Sequence, residues 1–204
     1  MYKKEELKRQ VRVMMDENAE DLLSSAGDVD ALGLDDLIEG VLPDVLRELL
    51  LSSGSEQLGE GEALRGELMW ESGHVGEGMC SLVLPEDFLR LLFFQMSDWR
   101  YGVSEAISAD SEAYRQQRSR WGAGRGNPER PVVALVPQSI GLTLEAYSSR
   151  SGSGVYMKRG RYLRIPHWEG EWIDIPPLLV RDVVRGTAAG VLGVLDRKAV
   201  GGEE

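Results

Sequence analysis

Apolar positions recur every three or four residues at both ends of the chain and every second residue in its middle. Near the N-terminus Leu7, Val11, Met14, Met15, Ala19, Leu22 and Leu23 form one stripe, which predicts a helix over 3–24, closed by the turn-forming residues 24–28. A second stripe (Leu34, Leu37, Ile38, Val41, Leu42, Val45, Leu46, Leu49, Leu50) predicts a helix over 34–51. Pro43 lies inside it. A proline there removes a backbone donor and crowds the preceding turn, so a kink or break is expected near 40–42. At the far end, 178–195 reads as a third long helix. Gly186 and Gly190 weaken it but, four residues apart, leave room for close helix packing.

The middle has a different texture. Leu64, Gly66, Leu68 and Trp70 alternate with polar neighbours, as do Cys80, Leu82 and Leu84, which predicts two strands joined by a Gly-rich hairpin loop over 71–78. Pro85-Glu86-Asp87-Phe88 reads as one helical turn, since proline suits the first position and acids the first turn. The nearly continuous apolar run 89–99 reads as a buried strand. A helix is expected over 108–120 with Ser108 as its cap, then a glycine-rich loop, strands at 131–136, 141–147 and 155–165, and a Trp-bearing connection over 166–177. The reading is therefore one α+β domain, 1–204. N- and C-terminal helices (1–52 and 176–197) form a helical bundle, and a β-rich insertion with one helix occupies 63–175.

Charge adds a second pattern. The chain has 204 residues, 34 acidic and 23 basic side chains, and a net charge of −11, which argues against a generic nucleic-acid binder. Residues 1–62 carry 6 basic and 16 acidic side chains, whereas 90–164 carry 12 and 6. Such segregation suits a subunit whose acidic surface meets a basic surface on a neighbouring copy. The one cysteine excludes an intramolecular disulfide, and no apolar run approaches the roughly 18 residues of a membrane span. With no signal-like start, a soluble protein without a membrane partner is expected.

Candidate chemistry is thin. The acidic pairs Asp16-Glu17, Asp35-Asp36 and Glu86-Asp87 read as solvated surface rather than as carboxylates facing across a cleft. His74 reads as an exposed loop histidine, His167-Trp168-Glu169 as a turn packed by Trp168 and Trp172, and Cys80 as a buried, inert thiol. Gly122-Ala123-Gly124-Arg125-Gly126-Asn127 follows a helix rather than a strand, so the dinucleotide-loop reading is rejected. No catalytic residue, cofactor site or metal site is expected. The arginines Arg115, Arg118, Arg120, Arg125 and Arg130 form the main cluster, with Lys158, Arg159, Arg161 and Arg164 as a second.

The phrase Leu84-Pro85-Glu86-Asp87-Phe88-Leu89-Arg90-Leu91, set between two strands, resembles one in head–tail adaptor (neck) proteins of tailed phages, prophage-borne versions included. The order of the surrounding features matches over some 180 residues: an acidic helical start with Leu42-Pro43-Asp44, the pair Trp99-Arg100, a basic helix and loop, a β-hairpin region, Trp172-Ile173-Asp174-Ile175-Pro176 and a C-terminal helix. The resemblance implies a non-enzymatic virion protein, assembled in the host bacterial cytoplasm as a homo-oligomeric ring that joins portal to tail proteins around a DNA channel. In it Leu84, Pro85, Asp87, Phe88, Arg90 and Trp99 are structural, and Arg115, Arg118, Arg120, Arg125 and Arg130 face a neighbouring subunit or contact the DNA backbone without sequence preference. The rival readings are a small-ligand or regulatory binding module lined by Trp168 and Trp172, and a hydrolase built on Glu86, Asp87 and His74.

Overall fold

The computed structural model describes residues 1–18, 31–71, 78–119, 124–147, 154–167 and 170–200. They form a mixed α+β structure with four helices and ten strands in three sheets among the described residues. No helix among them is long and apolar enough to cross a membrane. Contacts divide the chain into two units, Met1–Gly59 with Ile165–Glu204, and Glu60–Arg164.

The first unit contains β1 (Tyr2–Lys3), α1 (Lys4–Asn18), α2 (Ala31–Ser52), β10 (Trp172–Ile173) and α4 (Val180–Val200). Both α1 and α2 pack on α4. Each presents its stripe: Leu7, Val11 and Met15 from α1, Ile38, Leu42, Leu46 and Leu50 from α2, and Val183, Val184, Ala188 and Val191 from α4 are all buried. On the polar side Lys8 reaches Glu39, and Arg12 reaches Asp35, so two α1 cations four residues apart hold two α2 acids four residues apart. β1 and β10 pair antiparallel, Tyr2 opposite Ile173, a strand that the reading of 166–177 as a connection missed. Two residues are too few to show an alternation.

Of the kink or break expected near 40–42, the break does not occur: α2 runs unbroken from Ala31 to Ser52 with Pro43 inside it. A mid-helix proline costs about 3 kcal/mol. Ile38 and Leu42 before it and Leu46 and Leu50 after it are buried together, and this burial offsets the cost. The glycines of α4 do what their spacing suggests. A Cβ on Gly186 would lie 2.8 Å from Val45 Cγ1, and one on Gly190 2.6 Å from Val41 Cγ1, so α2 rests directly on the α4 backbone.

The second unit contains β2 (Glu62–Ala63), β3 (Met69–Trp70), β4 (Cys80–Val83), β5 (Phe88–Met96), β6 (Ile107–Ser108), α3 (Glu112–Arg118), β7 (Val132–Gln138), β8 (Gly141–Tyr147) and β9 (Met157–Arg164). Its sheets run β2-β9-β5 and β3-β4-β8-β7-β6, antiparallel except for β6 on β7. Their inner faces meet in one core of Leu82, Leu91, Phe94, Met96, Val133, Leu144, Ala146 and Tyr162. Three local readings change. Of the strand expected over 64–70 only β3 remains, β2 lies just ahead of that range, and Leu64 keeps its buried place. Pro85 to Phe88 is a tight turn rather than a helical one: the Phe88 N–H donates to the Pro85 carbonyl at 3.0 Å, and Phe88 at once enters β5. Ser108 is drawn into β6, so the helix begins later and Ser111 caps it, its Oγ accepting from the Tyr114 N–H at 3.2 Å.

The close α2–α4 approach gives a direct test. Gly190→Ala gains about 1 kcal/mol of helix propensity but drives a methyl into a stiff valine, at about 1–3 kcal/mol. Denaturant melts should show a net loss. Adding Val41→Ala should recover most of it relative to Val41→Ala alone.

Candidate functional site

The motif residues converge structurally. Leu84, Phe88 and Trp99 join one buried cluster. Phe88 stacks on Tyr162 with centroids 5.7 Å apart and planes at 16°, and the Tyr162 hydroxyl donates to Asp87 Oδ1 at 3.1 Å. Pro85 opens the turn, and Arg90 follows on β5 opposite Leu163 of β9. Trp99 lies edge-on to Phe94 at 5.7 Å, with its indole Nε1 buried and without a hydrogen-bond partner among the described residues. The phrase thus fastens the β5–β9 pairing. Sequence reading missed Tyr162, whose only signal is alternation within its strand.

A polar cluster lies on the opposite face of the larger sheet. β8 is buried on both sides: Leu144 and Ala146 face the core, while Thr143, Glu145 and Tyr147 face outward beneath α3. The Glu145 carboxylate is 3% exposed and accepts from the Tyr147 hydroxyl. Tyr114 of α3 hydrogen-bonds the same carboxylate and meets Tyr147 edge-on at 6.4 Å. Burial, reinforced by Glu145, raises both phenols above the ordinary tyrosine range. Arg118 approaches the cluster, 3.6 Å from Glu71 and 3.4 Å from the Met79 sulfur. Glu145 was legible only as one acid in the apolar run 141–147.

Most of the predicted arginine cluster is engaged locally. Arg115 pairs with Glu112 at 3.2 Å, and Arg118 turns to Glu71. Arg125 donates through Nε to the Ser119 carbonyl at 2.8 Å. The nearby loop closes around buried Gln117, which donates to the Gly124 carbonyl at 3.2 Å and accepts from the Gly126 N–H at 2.7 Å. Arg130 is exposed, and its backbone N–H is tied to Asn127. Arg120 and Trp121 lie outside the described residues, as do His74 and Trp168. Trp172 is 46% exposed with the Lys3 ammonium 5.3 Å above its ring. Cys80 is fully buried, and burial, then the charge of Asp98, pushes its thiol up to about 12.

In the first unit, α1 and α4 enclose a groove of about 540 Å³ floored by Val13, Met14, Val180 and Val184 and rimmed by Arg9 and Arg181. No protein-family model matches this sequence, and comparison with curated proteins finds no match.

Two predictions follow from these clusters. Phe88→Ala should cost about 3–5 kcal/mol in denaturant melts, and a loss well under 1 kcal/mol would place the turn outside the core. The second concerns alkaline stability. The unfolded tyrosines release protons near pH 10, whereas the folded phenols hold theirs at higher pH. Above about pH 10 the unfolded state binds fewer protons, so stability falls as pH rises. Tyr147→Phe should flatten that slope while costing about 1–3 kcal/mol at neutral pH by removing a donor to buried Glu145.

Proposed function

We propose that this chain is a non-enzymatic virion protein, the subunit of a head–tail adaptor ring that links a phage portal to its tail around the DNA channel. The observation that carries the reading is the Leu-Pro-Glu-Asp-Phe phrase. Its residues are spent on a turn, a stacked ring pair and a buried core, as a structural signature requires. In this reading α1, α2 and α4 are the helical bundle, and 60–164 is the β-rich insertion. Arg115 and Arg130, exposed on the insertion, face either a neighbouring copy or the phosphates of passing DNA. The ring forms in the host bacterial cytoplasm and stays in the virion.

The test is mass photometry of the full chain with and without the portal protein of the same phage, together with mass spectrometry of purified virions. The expected result is a discrete assembly many times 22.6 kDa on the portal, and the chain present in particles. A chain indifferent to portal and absent from virions sinks the proposal. The α1–α4 groove favours one other reading, a small-ligand or regulatory module, which a thermal-shift screen would reveal as ligand-dependent stabilisation.

A further inference from the structure

The net charge of −11 belongs entirely to one unit. Met1–Gly59 with Ile165–Glu204 carries 10 basic and 21 acidic side chains, while Glu60–Arg164 carries 13 of each. On that neutral unit, exposed aromatic rings and cations gather at one end of the β5–β9 ladder. The register puts Phe93 opposite Arg161 and Gln95 opposite Arg159, so all four share one face. The Arg159 guanidinium lies 5.4 Å from the Phe93 ring centroid. The same ring packs against the backbone of Gly102, where a Cβ would fall 2.1 Å from it. Next to Gly102, Tyr101 is 58% exposed with the Arg100 guanidinium 5.3 Å from its ring. Tyr156, 62% exposed, is tied to the end of β5 through Ser97, whose N–H donates to the Tyr156 carbonyl at 2.9 Å. Lys158 and Arg159 have no carboxylate partner among the described residues.

Two tyrosines more than half exposed, set among arginines, have the composition of an interface centre rather than of solvated surface. The complementary chemistry is on the same chain. The outer face of α2 carries Asp36, Asp44 and Glu48, all exposed and without an ion-pair partner among the described residues; Arg47 flanks them. Acids at this helical spacing repel one another, so in isolation they disfavour the helix. Gly40 fills the remaining position of the stripe, with nothing within 4 Å of where its Cβ would be, an opening able to take a ring.

The geometry points to a head-to-tail contact between copies of this chain, in which the Phe93–Tyr101–Tyr156–Arg159 platform of one copy receives the Asp36–Asp44–Glu48 stripe of the next. The inference rests on the ring reading and supplies its subunit interface. A heterologous contact of this kind uses a different surface on each copy, so it closes into a ring or extends into a filament. Electrostatic pairing sets its register, while the rings supply the apolar contact.

Complementary charge reversals test it. One variant carries Lys158→Glu and Arg159→Glu, the other Asp44→Lys and Glu48→Lys; all four sites are exposed, so both should melt like wild type. In sedimentation velocity at low ionic strength, wild type should self-associate and each variant alone should associate at least about tenfold more weakly. An equimolar mixture should recover assembly, because the intact platform of one variant takes the intact stripe of the other and the two reversed surfaces are again opposite in charge. If both variants assemble like wild type, this interface is wrong while the ring reading stands. Wild type that stays monomeric at all concentrations overturns the contact outright, and the portal experiment judges the ring separately. If wild type instead binds a fluorescent oligothymidine through Arg159 without self-associating, the platform belongs to single-stranded nucleic acid, and the inference fails.

Discussion

One carboxylate in a strand buried on both faces sets much of the β-rich unit. Glu145 sits mid-way along β8, between neighbours that face a dry core, and cannot stay there uncompensated. The fold meets this by laying α3 across the outer face of the sheet, so that Tyr114 and Tyr147 share the carboxylate and Arg118 closes towards it. Everything that follows α3 inherits that placement. Gln117 is buried because Tyr114 is anchored, and the turn through Gly124 and Gly126 closes on Gln117. The arginine-bearing segment is therefore built on a polar latch: Arg118 turns to Glu71 and Arg125 to the Ser119 carbonyl, while Arg115 and Arg130 stay exposed.

The helical unit solves a different problem. It must bury three stripes while carrying an excess of acids. α4 serves as the common surface because two of its positions lack side chains, which lets α2 approach to valine–backbone contact. The acids that would repel along the α1–α2 seam are met there by Lys8 and Arg12. Lys8 is nearly buried between Glu5 and Glu39, and those two acids outweigh desolvation to raise its pKa. Acids away from the seam, such as Asp44 on α2, stay exposed and uncompensated among the described residues.

Long periodic segments were legible because burial writes itself into sequence as a repeat. The three helical stripes, β5, the β7–β8 hairpin and β9 stand close to where spacing put them, the first stripe as far as Met15, since Ala19, Leu22, Leu23 and the turn at 24–28 lie outside the described residues; Gly186 and Gly190 do what their separation implies. Two-residue strands such as β1 and β10 carry no repeat and were invisible. The break weighed at Pro43 and the cap expected at Ser108 fail for the same reason: a local preference of a few kcal/mol is outweighed by contacts formed elsewhere, a buried stripe in one case and strand pairing in the other. The arginine cluster was legible as composition only. Which guanidinium meets Glu71, which a backbone carbonyl and which solvent depends on a turn and a buried glutamine that spacing does not encode.

β5 is strongly apolar, with Leu91, Leu92, Phe93 and Phe94 in an unbroken run, and it lies at the edge of its sheet. Its pairing with β9 is interrupted by three register irregularities, between Phe88 and Arg90, Leu91 and Phe93, and Gln95 and Met96. On its far side Val103 exchanges two 2.8 Å hydrogen bonds with Phe94. A flat strand of this composition would be a template for amyloid-like stacking. Each irregularity adds local coiling, and the Val103 bridge occupies the mid-point of the open edge, so a foreign strand finds no run of evenly spaced donors and acceptors. The irregularities also fix alignment, because sliding β5 by one residue would require all three to re-form elsewhere. The interrupted, bridged edge thereby keeps this apolar strand from nucleating fibrils.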